Sequence, residues 1–218
     1  DMQHIASDAH FLDHATGAST RPVSLLLAAH LTLNADARRR YRDFEALGGA
    51  MLETIDPVDT APDALERLMA RIDGADDAPA QSQAPLGAAA DGLPAPLRAA
   101  IEGGLDGLAW RQVTRGVHEA ELPVVGPNRE RAALLRIAAG RAVPRHTHRG
   151  EEMTLVLDGA FDDEAGHYAR GDLGITDPTI EHRPVACEGR DCLCLVVTSA
   201  PIRLTGPFLR MLNPFLTR

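Results

Sequence analysis

GRAVPRHTHRGEEMTLVLDG, residues 140–159, sets two histidines two apart, then two adjacent acids, then an apolar run, all between two glycines. Residues two apart on a strand share a face. His146 and His148 therefore point the same way. Glu152 has their parity and Glu151 the opposite one, so a pleat that persists through Gly150 brings Glu152 to the histidines and turns Glu151 outward. A later polar cluster, TDPTIEHRP, contains His182. The chain around these residues reads as short apolar runs (AALLRI, MTLVL, DLGIT, CLCLVVT) separated by Gly, Pro and Asp turns, the pattern of a sandwich or barrel. Inward positions of separate strands converge in a closed barrel. Three neutral imidazoles and a carboxylate there form a pocket of borderline hardness. It suits Zn(II), Fe(II), Mn(II) or Ni(II), with a position open to water or a small ligand.

The rest of the chain reads differently. Residues 1–73 carry helical signals. Ser7 or Asp8 can cap a short helix bearing Phe11 and Leu12. Pro22 suits the first turn of a second helix, VSLLLAAHLTL. Asn34 can cap a third, ADARRRYRDFEALGGAMLETI, whose Tyr41, Phe44, Leu47 and Met51 follow helical steps and which Pro57 ends. A fourth covers about residues 62–73, with Leu65, Leu68, Met69 and Ile72 on one side. Residues 74–96 are rich in Ala, Pro, Gly and Asp without periodicity and read as a linker, and β character is expected from about residue 97. The expected fold class is α+β and multidomain: an α-helical domain over 1–73, a linker over 74–96 and an all-β domain over 97–218.

Composition narrows the function. The chain has 218 residues, a formal net charge of -9 and no lysine among its 22 basic residues. Such acidity matches nucleic acid poorly, because phosphate neutralisation supplies much of that affinity. A protein partner is a better match. Cys187, Cys192 and Cys194 read as small buried hydrophobes in a reducing compartment. No apolar run approaches the roughly 20 residues of a membrane span, and DMQHIASDAHFLDHA has no basic region before an apolar core, so a cytoplasmic location is expected.

Two resemblances carry the reading further. The spacing of Gly140, His146, His148, Glu152 and Gly159 resembles the first signature of the cupin superfamily along its full length. This implies a double-stranded β-helix, or jelly-roll barrel, with His146, His148, Glu152 and His182 as metal ligands. The second signature is partly met. Gly171, Pro178 and His182 stand in order, but Ile180 replaces a glycine and no asparagine follows His182, which makes Glu181 a weaker rival ligand. Helices joined to a C-terminal cupin resemble the ChrR family of anti-sigma factors. The likeness is carried by His146-Thr-His148-Arg-Gly150-Glu-Glu152, LVLDGAFDDE, His182-Arg-Pro184, Gly189-Arg-Asp191-Cys-Leu-Cys194-Leu and Ala200-Pro201-Ile-Arg203. In the helical half it rests on Ser7-Asp8, Ala29-His30-Leu31 and Glu45-Ala-Leu-Gly48-Gly49-Ala. It implies helices that grip an extracytoplasmic-function sigma factor and a cupin that senses stress, notably singlet oxygen.

One departure stands out. The family's helical half often binds zinc through an upstream His and His-x3-Cys-x2-Cys, but this chain reads His30-Leu-Thr-Leu-Asn34-Ala-Asp-Ala37. A structural zinc takes four ligands, and His4 and His30 cannot supply them. One divalent metal in the barrel, zinc first, and none among the helices is therefore expected. His30 becomes a core or hinge residue, and His10, His14, His118 and His167 are surface or linking residues. A helical domain of this size gains from a partner or a homodimer. The alternative function is a dioxygenase-like cupin metalloenzyme acting on a small molecule, with Tyr168, Glu151 and His167 nearest in sequence to the site.

Overall fold

The computed structural model describes residues 4–74, 92–101 and 103–200, with the backbone alone of residues 202–204. The helices come first: α1 (Asp8–Ala15), α2 (Arg21–Leu33), α3 (Ala35–Leu52), α4 (Ala64–Asp73) and α5 (Ala95–Ala100). The strands follow: β1 (Arg111–Thr114), β2 (Val117–Val125), β3 (Arg131–Ile137), β4 (His146–His148), β5 (Glu152–Asp158), β6 (Ala160–Asp163), β7 (Gly166–Ala169), β8 (Leu173–Thr176), β9 (Val185–Ala186), β10 (Cys192–Thr198) and β11 (Ile202–Leu204).

The helix starts follow their caps. Ser7 Oγ accepts from His10 N at 3.4 Å. Pro22 sits in the first turn of α2. Asn34 Oδ1 accepts from the amides of Asp36 and Ala37, each at 3.0 Å, satisfying donors that a helix start leaves free. Arg38 reaches back to the carbonyls of Leu31 and Thr32 at 2.7 and 2.8 Å, closing the turn between α2 and α3. Asp8 and Arg40 tie α1 to α3.

An antiparallel sheet runs β1-β2-β3-β10-β5-β8. Opposite it lie β7-β6-β9 and β11-β4, joined through bridges between Ala142 and Val185 and between His146 and His182. The parity of the sheet explains its composition. Leu193, Leu195 and Val197 of β10, with Met153, Leu155 and Leu157 of β5, face one core. That core also takes in Phe11, Leu26, Leu27, Ala29 and Leu97 from the helices. Cys192 and Cys194, with Val156 and Ile137, face a second core inside the barrel beside Phe161, Tyr168 and Ala186. The central strands are covered on both sides, so they read as continuous apolar runs rather than as alternation. Gly159 turns β5 into β6 at φ +71°, and a Cβ there would lie 2.3 Å from the Asp191 carbonyl, so the turn requires glycine.

Three features differ from the sequence expectations. The third helix ends at Leu52 rather than reaching Ile55. Tyr41 and Phe44 pack on the core beside Phe11 of α1, but Leu47 and Met51 are exposed, because only the first half of α3 packs against its neighbouring helices α1 and α2. Residues 95–100 form α5, with Leu97 buried, and β structure begins at Arg111 rather than near residue 97. Of the stretch read as linker, residues 75–91 lie outside the described residues.

Candidate metal centre

β4 presents His146 and His148 inward, β5 begins at Glu152 facing the same way, and the bridge to His146 holds His182 opposite. All four side chains are buried, and their ligand-type atoms lie within 4.8 Å of one another. Glu151 points outward and meets His10 Nε2 of α1 at 3.1 Å. Glu181, the weaker rival, is exposed and outside the cluster. The Asp177–Ile180 turn before His182 closes without glycine. Thr179 N donates to Asp177 Oδ1 at 2.7 Å and Ile180 N to Asp177 O at 3.1 Å. Ile180 has no left-handed φ, so its replacement of a glycine costs the turn nothing.

The ring nitrogens carry the chemical information. His146 Nδ1 lies 2.8 Å from Pro144 O, which can only accept, so Nδ1 bears the proton. His182 Nδ1 lies 3.2 Å from Asp163 Oδ2 and donates likewise. In the neutral rings both Nε2 lone pairs then face each other across 3.1 Å, and His148 Nε2 approaches His182 Nε2 to 3.2 Å. Glu152 Oε1 is 3.8 Å from His182 Nε2. Converging lone pairs repel unless a cation lies between them. Nitrogen–metal bonds of about 2.0–2.1 Å set ligand atoms roughly 3.0–3.4 Å apart, the spacing found here between the ring nitrogens, with Glu152 Oε1 standing a few tenths of an ångström farther out. Carbonyl and carboxylate partners behind ligand imidazoles are the usual way to fix the tautomer.

Electrostatics agree. Burial, then the neighbouring His182, lowers His146 to a pKa of about 4. Burial, then His146 and His182, lowers His148 to about 3. Both rings are thus neutral and able to ligate at neutral pH. Burial raises Glu152 to about 7 without a cation, and a dication would favour its charged form. Burial also acts against ionisation of Asp163, but His182 and the amides of Ala165 and Gly166 outweigh it and hold the carboxyl below its ordinary range. A cavity of about 50 Å³ adjoins the cluster, lined by Leu135, Ile137, Val143, Phe161 and Tyr168 among others.

The second histidine motif is arranged for packing. His30 is fully buried on α2. Its Nδ1 meets Gly171 O at 3.1 Å and its Nε2 accepts from Ala6 N at 3.4 Å, so one neutral tautomer commits both nitrogens. Burial lowers its pKa to about 4. Asn34 Nδ2 donates to the same Gly171 carbonyl at 3.2 Å, and Ala37 is buried. The positions that would carry thiolates thus cap a helix and fill the core.

Comparison with known proteins sets this geometry in context. Residues 101–201 match the family described as the ChrR cupin-like domain. The anti-sigma-E factor ChrR of Cereibacter sphaeroides is 39% identical over 214 residues, covering 98% of both chains. The chain belongs to the ChrR family. A chain in the crystal structure of Rhodobacter sphaeroides SigE in complex with the anti-sigma ChrR is 38% identical and superimposes with a TM-score of 0.72, covering 90% of this chain and 98% of that one. The helices followed by a cupin barrel are thus the ChrR-family architecture.

Among the residues singled out from sequence, the structure brings His146, His148, Glu152 and His182 together. It separates the others. Tyr168 reaches the cavity wall, stacked on Phe161 at 4.8 Å, whereas His167 and Glu151 are exposed outside it. Cys192 and Cys194 are buried as expected, but Cys187, expected to be buried, is partly exposed at the barrel edge. Asp163 escaped the sequence reading. No apolar run marks its short strand, and nothing in the spacing ties it to His182, 19 positions away.

Proposed function

We propose that this chain is an anti-sigma regulator whose helices bind an extracytoplasmic-function sigma factor and whose metal-bound cupin senses an oxidative signal. The observation that carries the sigma-binding reading is an uncovered apolar face. Leu47, Met51 and Leu52 at the end of α3 and Leu65, Leu68, Met69 and Ile72 of α4 are all exposed, and α4 buries no residue. An amphipathic helix with no core of its own is suited to a partner's groove or helix. The family relative held with SigE identifies the kind of partner.

In the barrel, His146, His148, Glu152 and His182 would hold one divalent ion. Zinc best fits three imidazoles and a carboxylate, and iron, manganese or nickel would accept the same donors. Bound there, the ion supplies a Lewis-acidic position open to a small ligand. None is assigned to the helices, where His30 and Asn34 have protein partners. The cavity of about 50 Å³ is far below the roughly 300–1,000 Å³ of organic-ligand sites. Its size favours a water- or dioxygen-sized signal over turnover of a diketone. The signal has a short way to travel. Glu152 faces the cluster while Glu151, its neighbour, holds His10 of α1, and Gly171 holds both His30 and Asn34.

Size-exclusion chromatography of the full chain with an extracytoplasmic-function sigma factor from the same genome tests this. A stoichiometric complex is expected. Separate elution at micromolar concentrations of both would refute the sigma-binding reading.

A further inference from the structure

Outside the barrel, β6, β7 and the residue after β9 bring a carboxylate, an imidazole and a thiol together on one solvent-accessible face. Asp162 stands directly opposite His167 in the β6–β7 pairing, and opposite Val185 in the β6–β9 pairing, which puts Cys187 on its diagonal on the same face. Asp162 Oδ1 is 2.8 Å from His167 Nδ1, and Cys187 Sγ is 3.4 Å from Asp162 Oδ2 and 4.0 Å from His167 Nδ1. The three ligand atoms lie within 4.8 Å of one another, a property shared among the described residues only with the barrel cluster. We propose that Asp162, His167 and Cys187 form a second, solvent-accessible site for a thiophilic divalent cation such as zinc.

The distances suit such an ion. Bonds of about 2.3 Å to sulfur and 2.0–2.1 Å to nitrogen or oxygen in a tetrahedron place the donors roughly 3.3–3.6 Å apart. A few tenths of an ångström of movement by exposed side chains would meet that. Three protein donors leave the fourth position to water, the arrangement of an open rather than a structural site. The charges suit it too. Hydrogen bonds from His167 and then Cys187 hold the Asp162 carboxyl below its ordinary pKa. Burial and then Asp162 raise the Cys187 thiol, so a cation entering the site must displace its proton, and affinity rises with pH. Asp163, next in the strand, has the opposite parity and bonds His182, so β6 carries one acid toward each cluster.

Cobalt(II) titration of the full-length protein, read by optical spectroscopy, separates the two sites. A thiolate-to-cobalt charge-transfer band in the near ultraviolet can arise at the outer site, whereas the barrel ligands contain no thiolate. The band is expected in the wild type, to be displaced by zinc, to be lost in Cys187→Ser, to be weakened at least about tenfold in apparent affinity in His167→Ala, and to persist in His146→Ala. Absence of any thiolate band at saturating cobalt would overturn the proposal. So would a band that survives Cys187→Ser and disappears in Cys192→Ser or Cys194→Ser. Loss of the tight ion in His146→Ala bears only on the barrel site.

Discussion

Replacing Leu68 by Glu on α4 should weaken sigma binding while leaving the fold intact. Leu68 is 52% exposed in the free chain. Fully burying a leucine side chain contributes about 1.5–3 kcal/mol, so roughly half of that, about 0.8–1.5 kcal/mol, remains to be gained on binding. Forcing a carboxylate into the same contact adds a desolvation cost of at least about 1–2 kcal/mol. The sum, about 2–3.5 kcal/mol, corresponds to a loss of roughly 30- to 300-fold in affinity. Glutamate is as good a helix former as leucine to within a few tenths of a kcal/mol, and α4 has no buried residue to disturb, so unfolding free energy should change by less than about 0.5 kcal/mol. Calorimetric titration of sigma into wild type and variant, beside urea unfolding of each, reads both quantities. An unchanged Kd with an intact complex would refute the assignment of this face. A parallel collapse of stability would show that α4 serves the fold instead.

Other residues give separate tests. Elemental analysis of purified protein should find about one tightly held divalent ion per chain, depleted in His146→Ala and in His182→Ala, and unaffected by His30→Ala. Asn34→Ala removes the α3 cap and a bond to Gly171 O, and should cost about 1–2 kcal/mol by urea unfolding. His30 has a folded pKa of about 4 against an ordinary 6.5, with Asp172 the charged group opposing the shift. Its unfolded form binds the proton first, so its contribution to stability is complete above the unfolded value and lost as pH falls toward the folded one. Between pH 7 and pH 5 the wild type should lose about 2 kcal/mol more than His30→Gln, and equal losses would contradict the buried neutral ring.

Strand parity read from HTHRGEE separated Glu152 from its neighbour Glu151, and the structure keeps them apart as expected, because β5 starts at Glu152 and alternates without a bulge through Val156. Asn34 and Ser7 announced their helices because a cap is a local device, satisfied by amides two and three residues on. What escaped was long-range. The docking of α2 and α5 on β2 and β10 covers the sheet's second face, and a single strand such as CLCLVVT does not reveal what will cover it. Asp163 behind His182, Gly171 beneath His30, and Asp162 with His167 and Cys187 are pairings made by sheet register and helix packing. No spacing along the chain encodes them. Leu47, Met51 and the α4 leucines illustrate the converse. Their periodicity was legible, but periodicity does not distinguish a face turned to the core from one left for a partner.

Transcription reconstituted from purified RNA polymerase core, the cognate sigma factor and a promoter it serves is the most direct test. Full-length protein added at equimolar ratio to sigma should reduce transcript to background, and exposure of the preformed complex to singlet oxygen should restore it. Undiminished transcription in the presence of a several-fold excess of the folded, metal-loaded chain would contradict the anti-sigma function itself.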